Sequence, residues 1–451
     1  MAAINQVMLS DAVINNRFSA EFFDPKYVFL PSVDTNWAPI GKVLKKCEYG
    51  ISISMNSKGK GFPIFRMNEL DNCFAKRPEK YADIAVELFE QYRLQANDVL
   101  FNRTNSFEFV GRTALVKDQN DCTFASYLIR LVPDTEKILP EFLTVYLNTN
   151  FGIGQVKRRA MRSINQANVS GSEIRRVLIP IFHKNIQQGI ANLVNASFDA
   201  TKTSQTKYCQ ARQLLETELA LDKLRFEKSI GYTANFSELE LSHRADAQHY
   251  QAQFSQLLNH ISEFPSRKIR EIRSCNRRGL QPIYVSNGDY DVINSQHLGP
   301  KHINYDGLEK TSAKAFISSP DAHIRPNDLL IYTTGAYIGR TNVFLRDTPA
   351  FASNHVNILR LSPDIDAAYM AMVFQSLIGQ FQTQKHARGS AQAELYPSDI
   401  DKFVVPILPP EKQQMIGNLV RESLVKQTES ARLLEQAKTR VEQLIEAAVQ
   451  A

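Results

Sequence analysis

The hydrophobic positions change period along the chain. Residues 99–101, 113–116 and 127–132 are short runs rich in β-branched and aromatic side chains, punctuated by Asp, Asn and Gly. They predict strands joined by turns. Residues 140–147 predict a helix with Pro140 in its first turn and apolar residues at i, i+1, i+4 and i+5. Residues 174–181 predict a strand ending at proline. From about 185 to 228 there is no proline and one glycine, Gly189. Ile186, Ile190, Leu193, Ser197, Ala200, Ser204, Ala211, Leu214 and Leu221 fall there at mostly three-to-four spacing. This weak heptad, polar in its middle, suits pairing with another helix of the same protein better than a free dimer. Such a helix is on the order of 60 Å long. A second long helix over 411–449, entered through Pro409-Pro410, has a richer seam of Ile416, Leu419, Leu424, Ala431, Leu434, Val441, Leu444 and Ala448, and pairing is expected to bury Ser197 and Ser204 against its large apolar residues Ile416, Leu419, Leu434 and Val441.

The chain states its text twice. Ser172-Glu-Ile-Arg-Arg-Val-Leu-Ile-Pro-Ile181 returns as Ser398-Asp-Ile-Asp-Lys-Phe-Val-Val-Pro-Ile407, and Gln187-Gln-Gly-Ile-Ala-Asn-Leu-Val194 as Gln413-Gln-Met-Ile-Gly-Asn-Leu-Val420. The offset is 226 (406 − 180; 418 − 192). At nearly that offset Asn97-Asp98 matches Asn327-Asp328, Gly111-Arg-Thr113 matches Gly339-Arg-Thr341, and Phe124-Ala-Ser126 matches Phe351-Ala-Ser353. Arg17-Phe-Ser-Ala20 has a fainter echo in Arg244-Ala-Asp-Ala247, and Gly61-Phe-Pro-Ile-Phe-Arg66 pairs with Gly279-Leu-Gln-Pro-Ile-Tyr-Val285. A repeat of this length is a duplicated domain, not a solenoid unit. The predicted architecture is α+β: two duplicated units over 1–181 and 230–407, separated by two long helices over 182–229 and 408–451 that form an antiparallel coiled coil.

Length and composition agree. The 451 residues suffice for two or more domains, and 43% hydrophobic with 22% charged residues fits a soluble globular chain. No apolar run approaches a membrane span, and no basic region precedes the first apolar residues, so a cytoplasmic location is expected. Cys47, Cys73, Cys122, Cys209 and Cys275 are scattered and odd in number, as expected of reduced thiols. The net charge of +6 tilts the chain toward an anionic partner.

A search for catalytic patterns finds none. There is no GxxxxGK[ST], no HExxH and no Gly-x-Ser-x-Gly. Asp24-Pro-Lys-Tyr27 is a poor match to the base-holding motif of amino-methyltransferases, because Lys26 stands where Pro is needed. The pairs His243/His249 and His297/His302 lack metal-ligand spacing and are expected on the surface. The basic and polar loops carry more. Lys157-Arg158-Arg159, Arg162 and Gln166 follow one predicted helix, and Lys385, Arg388 and Gln392 follow its counterpart; Arg162 matches Arg388 and Gln166 matches Gln392, again 226 apart (388 − 162; 392 − 166). Arg103-Thr104-Asn105 and Thr333-Thr334 occupy equivalent turns. Asn56, Lys58, Lys60 and Arg277-Arg278 lie on further loops. Arg and Lys offer donors to phosphate and guanine, and Asn and Gln pair with adenine. A solvated surface is the default for any one of them, but the recurrence of the cluster in both halves weakens that default in favour of base contacts. Gly111-Arg112 and Gly339-Arg340 read instead as turn glycines supporting the fold.

The layout resembles the specificity subunit of type I restriction–modification enzymes over essentially the whole chain. The resemblance is carried by Asn97-Asp-Val-Leu-Phe-Asn-Arg-Thr104, by Asn327-Asp-Leu-Leu-Ile331 with Gly335-Ala-Tyr-Ile-Gly339, and above all by Val405-Pro-Ile-Leu-Pro-Pro-Glu-Lys-Gln413. In the last stretch Lys412 replaces the family's usual Glu. The first copy, Ile179-Pro-Ile-Phe-His-Lys-Asn-Ile-Gln187, lacks the double proline. The resemblance implies two target-recognition domains that each read half of a bipartite, asymmetric site in double-stranded DNA. It implies helices that set the gap, and no catalysis and no cofactor in this chain. Two methyltransferase subunits would dock and bring S-adenosylmethionine, and a motor-nuclease restriction subunit could join. A methylation-only phage-defence system fits the same layout. A self-contained methyltransferase or endonuclease would need the motifs this sequence lacks.

Overall fold

The computed structural model describes residues 7–15, 17–27, 35–71, 73–118, 121–226, 231, 233–389 and 392–450. The chain divides into two compact units, Met1–Thr201 with Thr428–Ala451, and Lys202–Gln427. Each unit therefore contains part of both long helices.

The recurring Asn-Asp pair begins the central strand of each unit. Asn97 and Asn327 have left-handed φ values of 74° and 69°, a conformation asparagine tolerates. Asp98 and Asp328, both buried, then accept from the Gln95 and Arg325 amides and are held by Arg130 and Arg360 from the neighbouring strand at 2.6 and 2.7 Å. In the first unit Val99–Asn102 sits inside a six-stranded sheet ordered Leu44–Tyr49, Leu128–Pro133, Val99–Asn102, Thr113–Leu115, Cys73–Ala75, Leu70–Asp71. In the second, Leu329–Tyr332 lies between Val356–Leu361 and Thr341–Val343, with Arg273–Arg278 outermost. A further four-stranded sheet accompanies each.

The helix of residues 140–147 forms as predicted, with every residue buried. The following helix, Asn150–Arg159, starts at the Thr149 cap and packs closely on it: a Cβ at Gly152 would lie 2.1 Å from the Tyr146 carbonyl. Gly379 repeats this against Phe374 at 2.1 Å in the pair Ala367–Gln375 and Leu377–His386. The turn glycines Gly111 and Gly339 have φ of 93° and 84°, and a side chain at either would strike Val156 or Thr383.

Four expectations are corrected. The central helix runs from Lys184 to Glu218, about 52 Å, and stops short of 228. Ala220 turns left-handed (φ 48°), His260 bonds the Leu219 carbonyl, and the chain folds back to bury Leu221. Residues 174–181 are not one strand: Ser170 caps a short helix, Gly171–Arg175, before the strand Leu178–Pro180. Gly279 corresponds to Gly50, not Gly61, since a Cβ on Gly50 or Gly279 would strike the same strand-end carbonyls, those of Phe124 and Ala125 or of Ala352 and Ser353. Gly61 corresponds to Gly288. Finally, the seam serines of the central helix do not meet large apolar residues.

Within the first unit the start of the central helix packs against the end of the terminal helix, Pro410–Gln450; within the second its end packs against that helix's start. The pairing is antiparallel in both. Ile190 and Val194 share a core with Ala437, Val441 and Ile445, and Ala211, Leu215 and Leu219 share one with Ile416 and Val420. Serine faces serine: Ser197 donates to the Ser430 carbonyl at 2.8 Å in the first unit, and Ser204 and Ser423 donate to each other's carbonyls at 2.8 Å in the second. Such reach from side chain to opposite backbone requires the helices to approach closely, and it satisfies the polar groups that burial would otherwise penalise.

The glutamine shared by the two helix entrances has a physical role. Gln187 accepts from the Leu139 amide at 2.8 Å and donates to the Phe182 and Lys137 carbonyls. Gln413 accepts from the Asp366 amide at 3.1 Å and donates to Leu408 at 2.8 Å. Leu139 and Asp366 are the caps of the helices Pro140–Leu147 and Ala367–Gln375, so one amide side chain locks each long helix to its unit. Gln187→Ala is expected to cost roughly 2–3 kcal/mol in urea unfolding by orphaning buried backbone groups. Gln188→Ala, on the exposed face, should be near neutral. Equal stability of the two variants would contradict this role.

Candidate nucleic-acid interface

In each unit a short two-armed hairpin follows the second helix and joins the loop after the central strand. In the first unit Met161–Arg162 pairs with Ala167–Asn168, which pairs with Thr104–Asn105. Ser163 closes the turn on the Gln166 carbonyl, and Ile164 at its tip is fully exposed. In the second unit Arg388 and Thr334 both bridge to Glu394, and Leu395 donates to the Thr333 carbonyl. The structure thus brings together residues 103–105, 162 and 166 in one unit and 333–334, 388 and 394 in the other.

Beneath each hairpin lies a carboxylate absent from the sequence-based candidates. Glu173 is bound by Arg17 at 3.2 Å, Arg159 at 3.4 Å and Arg176 at 3.5 Å. Asp399, its counterpart 226 residues on (399 − 173), is 1% exposed and bound by Arg388 at 2.7 Å and Lys402 at 3.4 Å. The faint echo of Arg17 in Arg244 also has a cause. Arg17 donates to the Arg159 carbonyl and Arg244 to those of His386 and Ala387, so each arginine satisfies the end of the helix that leads into the hairpin.

These partners sort the candidates. Arg158 donates to the Phe22 carbonyl with its guanidinium 4.1 Å from that ring, and Arg159 is buried on Glu173. Burial depresses the pKa of both, with Arg159 adding to the effect on Arg158. Lys385 mirrors Arg158 by donating to the His249 carbonyl, and burial lowers its pKa too. Arg103 donates to Ser126 and Asn168 while lying 4.8 Å from the Tyr49 ring; Thr104 accepts from Asn168, and Asn105 accepts from the Ser106 amide. Thr333 donates to the His355 carbonyl, and Thr334 is buried. Asn56 spends its amide on its own loop, accepting from the Lys58 and Lys60 amides and donating to Lys60 and Tyr81. Lys58 is exposed, Lys60 pairs with Asp83 at 2.7 Å, and Arg277 pairs with Asp321. Asp24 of the Asp-Pro-Lys-Tyr stretch simply pairs with Lys26 at 3.1 Å.

The outward-facing groups are fewer. Arg162 and Lys157 flank the Phe107 ring at 3.5 and 5.2 Å, and neither meets a carboxylate within salt-bridge distance among the described residues. Gln166, Arg388 and Gln392 are exposed, and Arg278 lies 4.7 Å from the Tyr396 ring.

His249 and His297 are buried rather than on the surface. His249 bonds the Lys385 carbonyl, and His297 accepts from the Asn294 amide. His249 sits 5.6 Å from His386, whose ring also meets Phe403. Burial, then His249 and Lys385, pushes His386 down to about 3, with Asp399 opposing. Burial likewise lowers His249; its bond to the Lys385 carbonyl opposes this most, the charges of Lys385 and Arg244 add to it, and Asp246 opposes it. The folded state thus keeps His386 neutral while the unfolded chain protonates it below about 6.5. Its contribution is complete above that value and is lost as pH falls toward 3, by up to roughly 1.4 kcal/mol per pH unit. Phe22 and Arg159 hold the equivalent places in the first unit. Hydrogen exchange between pH 7.5 and 5 should therefore show Leu377–His386 loosening before Asn150–Arg159, and His386→Ala should reduce the difference. Equal loosening would contradict the assignment.

Comparison with known proteins follows this geometry. The sequence model of the type I restriction modification DNA specificity domain matches twice, at residues 40–210 and 263–432, well over half of the chain. A Methanocaldococcus jannaschii protein provisionally named type I restriction enzyme MjaX specificity subunit is 26% identical over 203 residues, 44% of this chain and 47% of the relative. The match thus spans about half the length of that curated relative. Among solved structures, the type I restriction–modification S subunit from M. genitalium aligns over 94% of this chain and 98% of its own at 13% identity and TM-score 0.48. The HsdS subunit from Thermoanaerobacter tengcongensis aligns over 94% and 97% at 15% identity and TM-score 0.28. Among the described residues no helix is long and apolar enough to cross a membrane. With both halves matched by the family's sequence model, the chain belongs to the type I restriction–modification DNA specificity domain family and carries two copies of that domain.

Proposed function

We propose that this chain is the DNA-reading specificity subunit of a type I restriction–modification complex, and that its two units each read half of a bipartite, asymmetric site. The observation that carries this reading is the recurrence of an exposed basic hairpin, Arg162 with Gln166 and Arg388 with Gln392, on the same scaffold in both units. Guanidinium groups at a hairpin tip suit phosphate and guanine, and the amides suit adenine. The side chains around the two hairpins differ, which supports unlike half-sites. The antiparallel helices, locked to the units by Gln187 and Gln413, would hold the gap between half-sites. In this reading the chain performs no chemistry. Two methyltransferase subunits supply S-adenosylmethionine and modify adenine, and a restriction subunit can join the complex in the cytoplasm.

Methylome sequencing of cells with and without this chain tests the reading. A methylated motif made of two different short half-sites should vanish when the chain is removed, and a palindromic motif, or none that depends on the chain, would contradict it. Arg162→Ala should weaken DNA binding without altering the melting temperature and reduce the salt slope by about one unit if it contacts one phosphate. Arg388→Ala should weaken binding too, but it also removes a partner of the buried Asp399, so its melting temperature should fall. Unchanged affinity and slope in both variants would show that the hairpins do not meet DNA.

A further inference from the structure

The two hairpins carry the same three-part cluster, rebuilt from different positions. Strand register fixes the equivalences. Tyr49 pairs with Ile129 as Arg278 pairs with Asn357, and Val169 donates to Arg103 as Leu395 donates to Thr333. Tyr49 therefore corresponds to Arg278, Arg103 to Thr333, Asn168 to Glu394 and Ser170 to Tyr396. In the first unit a guanidinium (Arg103) lies over a phenol ring (Tyr49) and donates to an amide (Asn168). In the second a guanidinium (Arg278) lies over a phenol ring (Tyr396), 3.9 Å from a carboxylate (Glu394). The cation has moved to the place of Tyr49, the ring to the place of Ser170, and the neutral acceptor has become an anion.

Glu394 is out of place electrostatically on a face meant for phosphate. Its side chain is 33% exposed. Its Oε2 accepts from the Tyr396 hydroxyl, and among the described residues nothing donates to Oε1. Asn168, by contrast, is occupied on both sides by Arg103 and Thr104. A carboxylate oxygen repels phosphate and the acceptors of guanine and thymine. Adenine offers its N6 donor beside the N7 acceptor, whereas the cytosine edge offers the N4 donor alone. Arg278, at its side, has the donors that the paired guanine needs.

Resting on the proposed reading of the chain as a DNA specificity subunit, we infer that Glu394, positioned by Tyr396 and Arg278, reads a C·G base pair in the half-site of the second unit. The first unit, with its acceptor already satisfied, has no equivalent reader at this place.

The test is methylome sequencing of the native host carrying Glu394→Gln. The wild-type half-site of the second unit should contain an invariant C·G pair. Glutamine pairs with adenine N6 and N7, so the variant should lose at least about fivefold of its preference for C at that one position and gain acceptance of A. The other half-site and the gap should be unchanged. A variant motif identical to wild type would overturn the inference while leaving the reading of the chain intact. Glu394→Asp keeps the charge and shortens the reach, so it should blur the same position without replacing C by A. Undiminished selectivity in that variant, or loss of all methylation in both, would assign Glu394 to the hairpin's folding and overturn the inference. A wild-type chain on which no methylation depends would instead overturn the reading beneath it.

Discussion

A helix that pairs antiparallel with its own duplicate must present a seam that matches itself in reverse. The seam positions here recur at one offset: Ile190 with Ile416, Val194 with Val420, Ser197 with Ser423, Ser204 with Ser430, Ala211 with Ala437. Reversal sets large against small at the ends, where Ile190 shares a core with Ala437 and Ala211 with Ile416. In the middle it sets serine against serine. The reciprocal hydroxyl-to-carbonyl bonds there are what make a polar centre compatible with burial, and they tie alignment to individual atoms in a way an all-leucine seam would not. Gln187 and Gln413 tie each helix entrance to its own unit.

The second organising element is an acid under each basic hairpin. Charges of one sign cannot crowd at a hairpin base without an internal counter-charge. Glu173 and Asp399 supply it and thereby decide which cations turn inward. Arg159 and Arg17 are held by the carboxylate, while Arg162 and Lys157, resting on Phe107, stay available. The exposed charge of the surface is thus smaller than its count of arginines.

Much of this was legible in the sequence, for identifiable reasons. The helix at 140–147 was clear because Pro140 marks its start and its apolar residues recur at i, i+1, i+4 and i+5. The repeat was clear because scaffold roles, such as the Asn-Asp turn and the locking glutamine, admit few substitutes. The end of the central helix was hidden because a left-handed alanine leaves no composition signal. The intramolecular partners of Arg103, Arg158, Arg159 and Lys385 were not legible because a sequence shows charge but not partner. Glu173, Asp399, Tyr49, Tyr396 and Glu394 were missed for the converse reason: no acid or aromatic draws notice in a search for basic loops. The recurrence of Glu173 as Asp399 beside equally spaced cations was the signal that could have found two of them.

Under the proposed function the paired helices set the spacing between two DNA half-sites. Because the seam is continuous within each unit and shared between two helices, lengthening only one would break its register. The decisive measurement is methylome sequencing of a variant with four residues inserted in both helices at matched positions, near Thr203 and near Glu429. One added turn is about 6 Å of helix, set against about 3.4 Å per base pair of DNA. The account predicts both half-site sequences unchanged and the gap longer by one or two base pairs. An altered half-site with the old gap, or a wholly unchanged motif, would contradict it.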